Sequence, residues 1–437
     1  MPYIANGYKG RFLAGSTLGF LALMLTTPAS AETEIEALKR ELAEQKQLIS
    51  KILAEQAARK PQEQSGAPAA SPAASAAQPE KDTPTLTFYG LVDVGVEHIT
   101  NISNTSSNTT GSLTRVPSIT GTLPSRLGMN VNKEFLPGYK AIATLETGFN
   151  MDDGSLGQGG RIFGRQLFVG VDSPYGAMTI GRQNSMLLSG VGAADFIGPN
   201  IYSLGSLDAY LPNARFDNSI AWRNKFSKLS VGALYSTGRD TKGGAPASGT
   251  CAGEIAGAAN QCKGWSAMAA YNDNSFSLAA AIDRLNGGTG ATAYFFNGAA
   301  PIAFSQSSDT DQRIAASGSI KFGGAKIGLG WLGRKVETST TSIKSNIYFL
   351  DAAYPITAKM LVDGGVYRAV NNDQDRSATL FLLRGLYSFD KNFTGYLQIG
   401  YIKNSDQAQY AVSVGPNIAP PAGGSQTAMM AGARYRF

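Results

Sequence analysis

The chain has 437 residues, 16% of them charged and 43% apolar, with 51 glycines, two cysteines, one histidine and a formal net charge of +6. Beyond residue 31 no run approaches the roughly 20 apolar residues of a membrane helix, which argues against a bundle of transmembrane helices. It does not exclude a closed barrel, in which only alternate residues must be apolar.

The N-terminus carries Lys9 and Arg11, an apolar stretch from Phe12 to Leu25, and Ala29-Ser30-Ala31. A basic start, a short apolar core and an A-x-A site predict a secretory signal over 1–31, cleaved before Glu32. The other reading is an uncleaved anchor, against which Gly15, Ser16 and Gly19 interrupt the apolar core.

From 32 to 60 the periodicity predicts a helix. Ile35, Leu38, Leu42, Gln45, Ile49, Ile52 and Gln56 recur at alternating spacings of three and four, the seam of a coiled coil. The two glutamines weaken that seam, and a single frayed amphipathic helix is the competing reading. Residues 61–84 are rich in Ala, Pro, Ser and Gln and predict an extended linker.

At Thr85 the period changes to two and stays so to Phe437, predicting an all-β unit, a transmembrane β-barrel of antiparallel strands. Met429, Ala431, Ala433, Tyr435 and Phe437 alternate with Met430, Gly432, Arg434 and Arg436, and 219–223 and 313–322 alternate likewise. Tight turns are expected at 136–138, 173–176, 225–228, 273–274, 323–324, 355–358 and 390–392. Polar loops are expected near 100–124, 151–160, 184–217, 238–263, 286–310, 337–342, 371–375 and 405–426. Seven turns alternating with eight loops make sixteen strands, with both ends of the barrel on the short-turn side.

Cys251 and Cys262 lie eleven residues apart in one of these loops with no third cysteine, so export predicts a disulfide between them. The lone His98 is far away in sequence, so no metal site is expected, and His98 reads as a rim residue.

Several motifs in series resemble the general porins of Gram-negative bacteria, of the β-proteobacterial type. They are Thr85 to Gly95, Ser125-Arg126-Leu127-Gly128, Leu145-Glu146, Arg165 to Val171, Ile180-Gly181-Arg182-Gln183 and the terminal Tyr435-Arg436-Phe437. The resemblance implies a sixteen-stranded barrel, a homotrimer, and an external loop folded into the lumen, here about 184–217. It also makes Tyr435 and Phe437 the signal read by the barrel-assembly machinery. The coiled coil and linker depart from the family pattern and are familiar from phosphate-selective porins.

On this reading the charges line a pore. From Thr85 onward 29 Lys and Arg stand against 23 Asp and Glu, a difference of +6. Strand parity points Arg126, Lys140, Arg223, Arg313, Lys321 and Arg384 inwards, with Glu146. Arg165 and Arg182 match basic residues of the family's early strands, and Asp195 or Asp208 on the infolded loop would oppose a basic wall. Facing rows of opposite charge favour polar solutes, and the net sign favours anions.

The expected function is passive diffusion of small hydrophilic solutes through the outer membrane. Beside it stand a phosphate- or sugar-selective channel and a mainly structural envelope protein. No catalytic motif accompanies the single histidine, so the chain reads as a non-enzyme with no cofactor. Expected neighbours are outer-membrane lipid and lipopolysaccharide, and peptidoglycan or a periplasmic protein at the coiled coil, with no nucleic acid.

Overall fold

The computed structural model describes residues 47, 51, 83–104, 109–119, 123–198, 201–239, 251 and 253–437. The expected signal, nearly all of the coiled coil, and all of the linker but its last two residues lie outside the described residues. Gln47 and Lys51 are helical and exposed.

From Thr85 the chain runs through β1 (Thr85–Asn104), β2 (Thr109–Arg115), β3 (Arg126–Leu136), β4 (Tyr139–Gly148), β5 (Gln166–Ser173) and β6 (Gly176–Asn184). It continues through β7 (Arg215–Phe226), β8 (Leu229–Ser236), β9 (Gly264–Asn272) and β10 (Phe276–Asn286), then the short pair β11 (Thr292–Ala293) and β12 (Ile302–Ala303). Last come β13 (Thr310–Phe322), β14 (Ala325–Glu337), β15 (Ser342–Pro355), β16 (Met360–Val370), β17 (Ala378–Ser388), β18 (Phe393–Asn404) and β19 (Ser425–Arg436).

Successive strands pair antiparallel, and β1 closes on β19 from Leu91↔Arg436 to Ile99↔Ala428. β1 pairs along its other edge first with β3 and then with β2, so β2 continues the line of β3 after an interruption. β11 and β12 form a separate two-stranded sheet in a loop. The wall therefore counts sixteen strands, as the turn and loop pattern predicts. No helix among the described residues is long and apolar enough to cross a membrane.

The alternation of side chains builds this wall. On β14 Ile327 and Leu329 are exposed on the outer face, while Leu332, Arg334 and Val336 are buried on the inner one. Turn chemistry fixes the register: Phe322↔Ala325 close a two-residue hairpin in which Gly323 and Gly324 both have positive φ, the backbone of a type I′ turn. Short turns gather at the end where β1 begins and β19 finishes, and long loops at the other.

The largest buried cluster is not between layers but inside the barrel. The described residues between 185 and 214 fold inwards through α1 (Leu187–Gly192), α2 (Leu204–Leu207) and a 3-10 turn at Leu211–Asn213. Met186, Leu187, Val191, Leu204, Tyr210 and Leu211 pack there against Ala315, Leu332, Ile347 and Phe349 of the wall. A Cβ at Gly190 would stand 2.6 Å from the Cβ of Ala281, so only glycine lets α1 lie this close to β10.

Candidate pore constriction

The infolded loop is pinned along the inner face of β9–β15. The Met186 amide donates to Ser266 Oγ at 2.9 Å, and Ser317 Oγ donates to the Gly190 carbonyl at 2.7 Å. The Phe196 amide donates to Asp351 Oδ2 at 3.1 Å, and Tyr210 Oη donates to Asp283 Oδ2 at 2.8 Å. Beyond the wall, the Tyr202 amide donates to the Val412 carbonyl of the last long loop at 3.0 Å.

The strongest anchor is Asp208. Arg313 holds it through two hydrogen bonds, Nε to Oδ2 at 2.6 Å and Nη2 to Oδ1 at 3.1 Å. Arg313 also pairs with Asp311 at 3.0 Å, and its guanidinium lies 4.2 Å from the centre of the Tyr210 ring. Asp311 in turn takes both forks of Arg334, at 2.9 and 2.8 Å. Arg313 and Arg334 are directly opposed in the ladder, an arrangement that would repel without Asp311 and Asp208. Farther along, Arg384 and Asp363 are ladder partners joined at 2.8 and 2.5 Å.

Strands eight places apart in a sixteen-strand ring face each other, so β3–β7 oppose β13–β17. On the β3–β7 side Glu146 receives Arg165 at 2.7 Å and Arg126 at 3.5 Å. Asp217 receives Arg182 and, at 3.8 Å, Arg161. Arg223 donates to neutral groups, Gln183 Oε1 at 2.9 Å and the Asn184 carbonyl at 3.1 Å. These five arginines share two carboxylates, 5 − 2 = +3. Opposite them Arg313, Arg334 and Arg384 are paired with Asp208, Asp311 and Asp363, three charges against three, and two further acids, Asp351 and Asp195, face each other there. Those groups lie at most 9% exposed, whereas the Arg126 side chain is 22% exposed.

Asp195 has a different setting from the basic wall anticipated for it. It caps the Gly198 amide through Oδ1 at 2.8 Å and faces another acid, Asp351. Burial pushes its carboxyl up to about 6, with Arg384 acting in the opposite direction. Lys140 is exposed near the turn-side end of β4, in register with Asp172, and therefore lies at the mouth rather than at the narrowing. Arg182 follows the outward parity of Met178 and Ile180, but a register shift between Gly181 and Gln183 turns its guanidinium to Asp217.

Arg334, Asp311, Asp363, Asp217, Arg161 and Asp351 are absent from the residues the sequence singles out. Parity marks Arg334 and Asp363 as inward, yet their importance lies in which partner the register brings to them.

Away from the constriction, Cys251 and Cys262 are disulfide-bonded and belong to a small buried cluster with Phe295, Phe304, Val336 and Ile343 over the loop-side end. His98 is exposed on the outward face of β1, six residues before that strand ends, with Nδ1 2.8 Å from Thr114 Oγ1. Phe437 exchanges backbone hydrogen bonds with Gly90 at 3.0 and 3.2 Å, and its ring lies over the Gly90 Cα. Among the described residues no group of three or more His, Cys, Asp or Glu is placed to hold a metal.

A family model described as Gram-negative porin matches residues 65–407. An outer membrane porin protein of Bordetella pertussis is 28% identical over 180 residues, which cover 39% of this chain and 46% of that protein. The chain thus matches about half the length of that relative. Among solved structures, the anion-selective porin from Comamonas acidovorans superposes with a TM-score of 0.64 at 20% identity, over 81% of this chain and all of that one. The trimer form of OmpT, an outer membrane protein of Vibrio cholerae, gives 0.56 at 17% identity over 82% of this chain and all of its own. At these identities the two likenesses are of fold.

Proposed function

Because the chain belongs to the Gram-negative porin family, we propose that it forms a water-filled outer-membrane channel for passive diffusion of small hydrophilic solutes and ions, with anions preferred. The observation that carries the preference is the asymmetry of the constriction. Five arginines with two carboxylates stand on one side, and the three arginines opposite are each closed onto a carboxylate. A permeating ion therefore meets a net positive surface, whose field is strengthened by the low-dielectric wall behind it. A channel of this kind takes no chemical step.

The trimeric form of the Vibrio neighbour supports a homotrimer here. Three copies would bring three N-terminal segments to high local concentration, enough for a seam weakened by Gln45 and Gln56 to associate.

Planar-bilayer recording tests the channel. Stepwise conductance should rise in proportion to KCl concentration without saturating, and the reversal potential in a KCl gradient should have the sign of chloride preference. Saturating conductance would favour a solute-selective site, and potassium preference at neutral pH would overturn the anion assignment.

A further inference from the structure

We propose that the outer face of β9–β15 is a binding site for a phosphorylated glycolipid of the outer leaflet, with its acyl chain in a groove of the wall and its phosphates on a row of cations above. Two rows of outward-facing residues carry this. In the first, Ala269, Ala280, Ala316, Trp331 and Tyr348 are ladder partners in turn on β9, β10, β13, β14 and β15. The three alanines leave an apolar groove of about 610 Å³, bounded by Leu278 and the rings of Trp331 and Tyr348.

The second row lies four residues nearer the long loops on every one of these strands: Trp265, Arg284, Gln312, Lys335 and Lys344, again partners in turn. Four residues of strand span about 13 Å. The two rows thus form an amphipathic track, apolar towards the middle of the wall and cationic at the loop-side end. Lys263, two residues beyond Trp265, adds a fourth positive charge.

The acids nearby do not cancel the row. Glu337 pairs with Lys335 at 2.5 Å, and Asp373 accepts from the Lys344 backbone at 2.7 Å. Four cations against two acids leave 4 − 2 = +2 on this part of the rim. Among the described residues Arg284 makes one long side-chain contact, 3.4 Å to Gln312 Oε1, and a guanidinium has further donors to offer an anion. An apolar groove alone would suit any lipid tail. A groove with cations at one fixed distance along three strands suits an amphiphile whose head carries more than one phosphate. A second barrel is the poorer match, because a row of like charges offers it no complementary partner.

The site rests on the proposed outer-membrane orientation, with long loops outside. The test titrates purified full-length trimer in detergent with bis-phosphorylated lipid A, by native mass spectrometry. The triple variant Arg284→Gln, Lys335→Gln, Lys344→Gln should bind at least tenfold more weakly, and lipid A stripped of phosphate should bind the unaltered protein as weakly. Ala316→Trp, which fills the groove and leaves the cations in place, should also weaken binding. Single-channel conductance should stay unchanged in both variants, so failure of the channel reading and failure of the lipid site are separable. Unaltered affinity in the triple variant would overturn the proposal. So would full displacement by millimolar inorganic phosphate, which marks a bare anion site, or dissociation of the trimer by Ala316→Trp, which marks a subunit interface.

Discussion

Asp208→Asn isolates the main anchor of the infolded loop. The substitution keeps size and one acceptor but removes the charge that takes both forks of Arg313 at 2.6 and 3.1 Å. Hydrogen bonds to charged groups contribute about 1.5–3 kcal/mol each. Stripping a buried ion of its only partner costs about 3–5 kcal/mol. Here Asp311 remains 3.0 Å from Arg313 and Asn still accepts one bond, so the loss should be smaller, on the order of 2 kcal/mol. At 1.4 kcal/mol per factor of ten, docking of the 203–213 segment should weaken about thirtyfold. Of the other anchors, Ser266, Ser317 and Asp351 hold the first half of the loop and Asp283 still takes Tyr210 in the second, so the barrel should assemble normally. The assay is single-channel recording at fixed voltage. Open-channel current noise should rise clearly above that of the unaltered protein, and Asp208→Glu should show less of the effect. Unchanged noise and reversal potential in Asp208→Asn would mean that the Arg313 pair does not hold the loop, and the reasoning would fail.

Arg223→Gln should shift the reversal potential towards cations more than Arg126→Gln does, since Arg126 is partly compensated by Glu146 while Arg223 is bonded to neutral groups; equal shifts in a KCl gradient would argue against it. Loop docking should also respond to pH through Asp195, whose carboxyl burial raises to about 6 from an ordinary value near 4. A raised acid takes up its proton on folding, so the Asp195 contribution to docking gains as pH falls through the window from about 6 to about 4. Current noise should fall across that window in the unaltered protein and not in Asp195→Asn. At the barrel seam, Gly90→Val would place side-chain atoms inside the Phe437 ring, 2.2 Å from its Cζ for the Cβ alone. That variant and Phe437→Ala should both lower the amount of heat-modifiable barrel in the outer membrane, and normal levels of either would count against the role assigned to the terminal residue. Cysteines at Leu38 or Ile49 should cross-link between subunits on oxidation if the N-terminal helices associate, with Arg40→Cys as the exposed control.

What the sequence determined by itself is everything with a short range. The period of two from Thr85 decides strand, inward and outward faces. Glycine and proline at the turns, such as Gly323-Gly324 and Pro137-Gly138, decide where each hairpin closes, because positive φ and a missing donor are properties of single residues. The Cys251–Cys262 bond belongs here too, since eleven residues separate the pair and no competitor exists. The short loop expected at 337–342 likewise falls on the gap between β14 and β15. The tertiary structure alone decided who meets whom across the lumen. Asp208 and Arg313 are 105 residues apart, and nothing local to either specifies the other. The same holds for Asp195, whose neighbour is an acid because α1 packs against β10 and carries the following turn to β15. Parity fixes the face of a side chain, but register, the bulge at Gly181–Gln183 and the docking of a long loop fix its partner. Those depend on the summed packing of strands far apart in the chain, which no window of sequence contains.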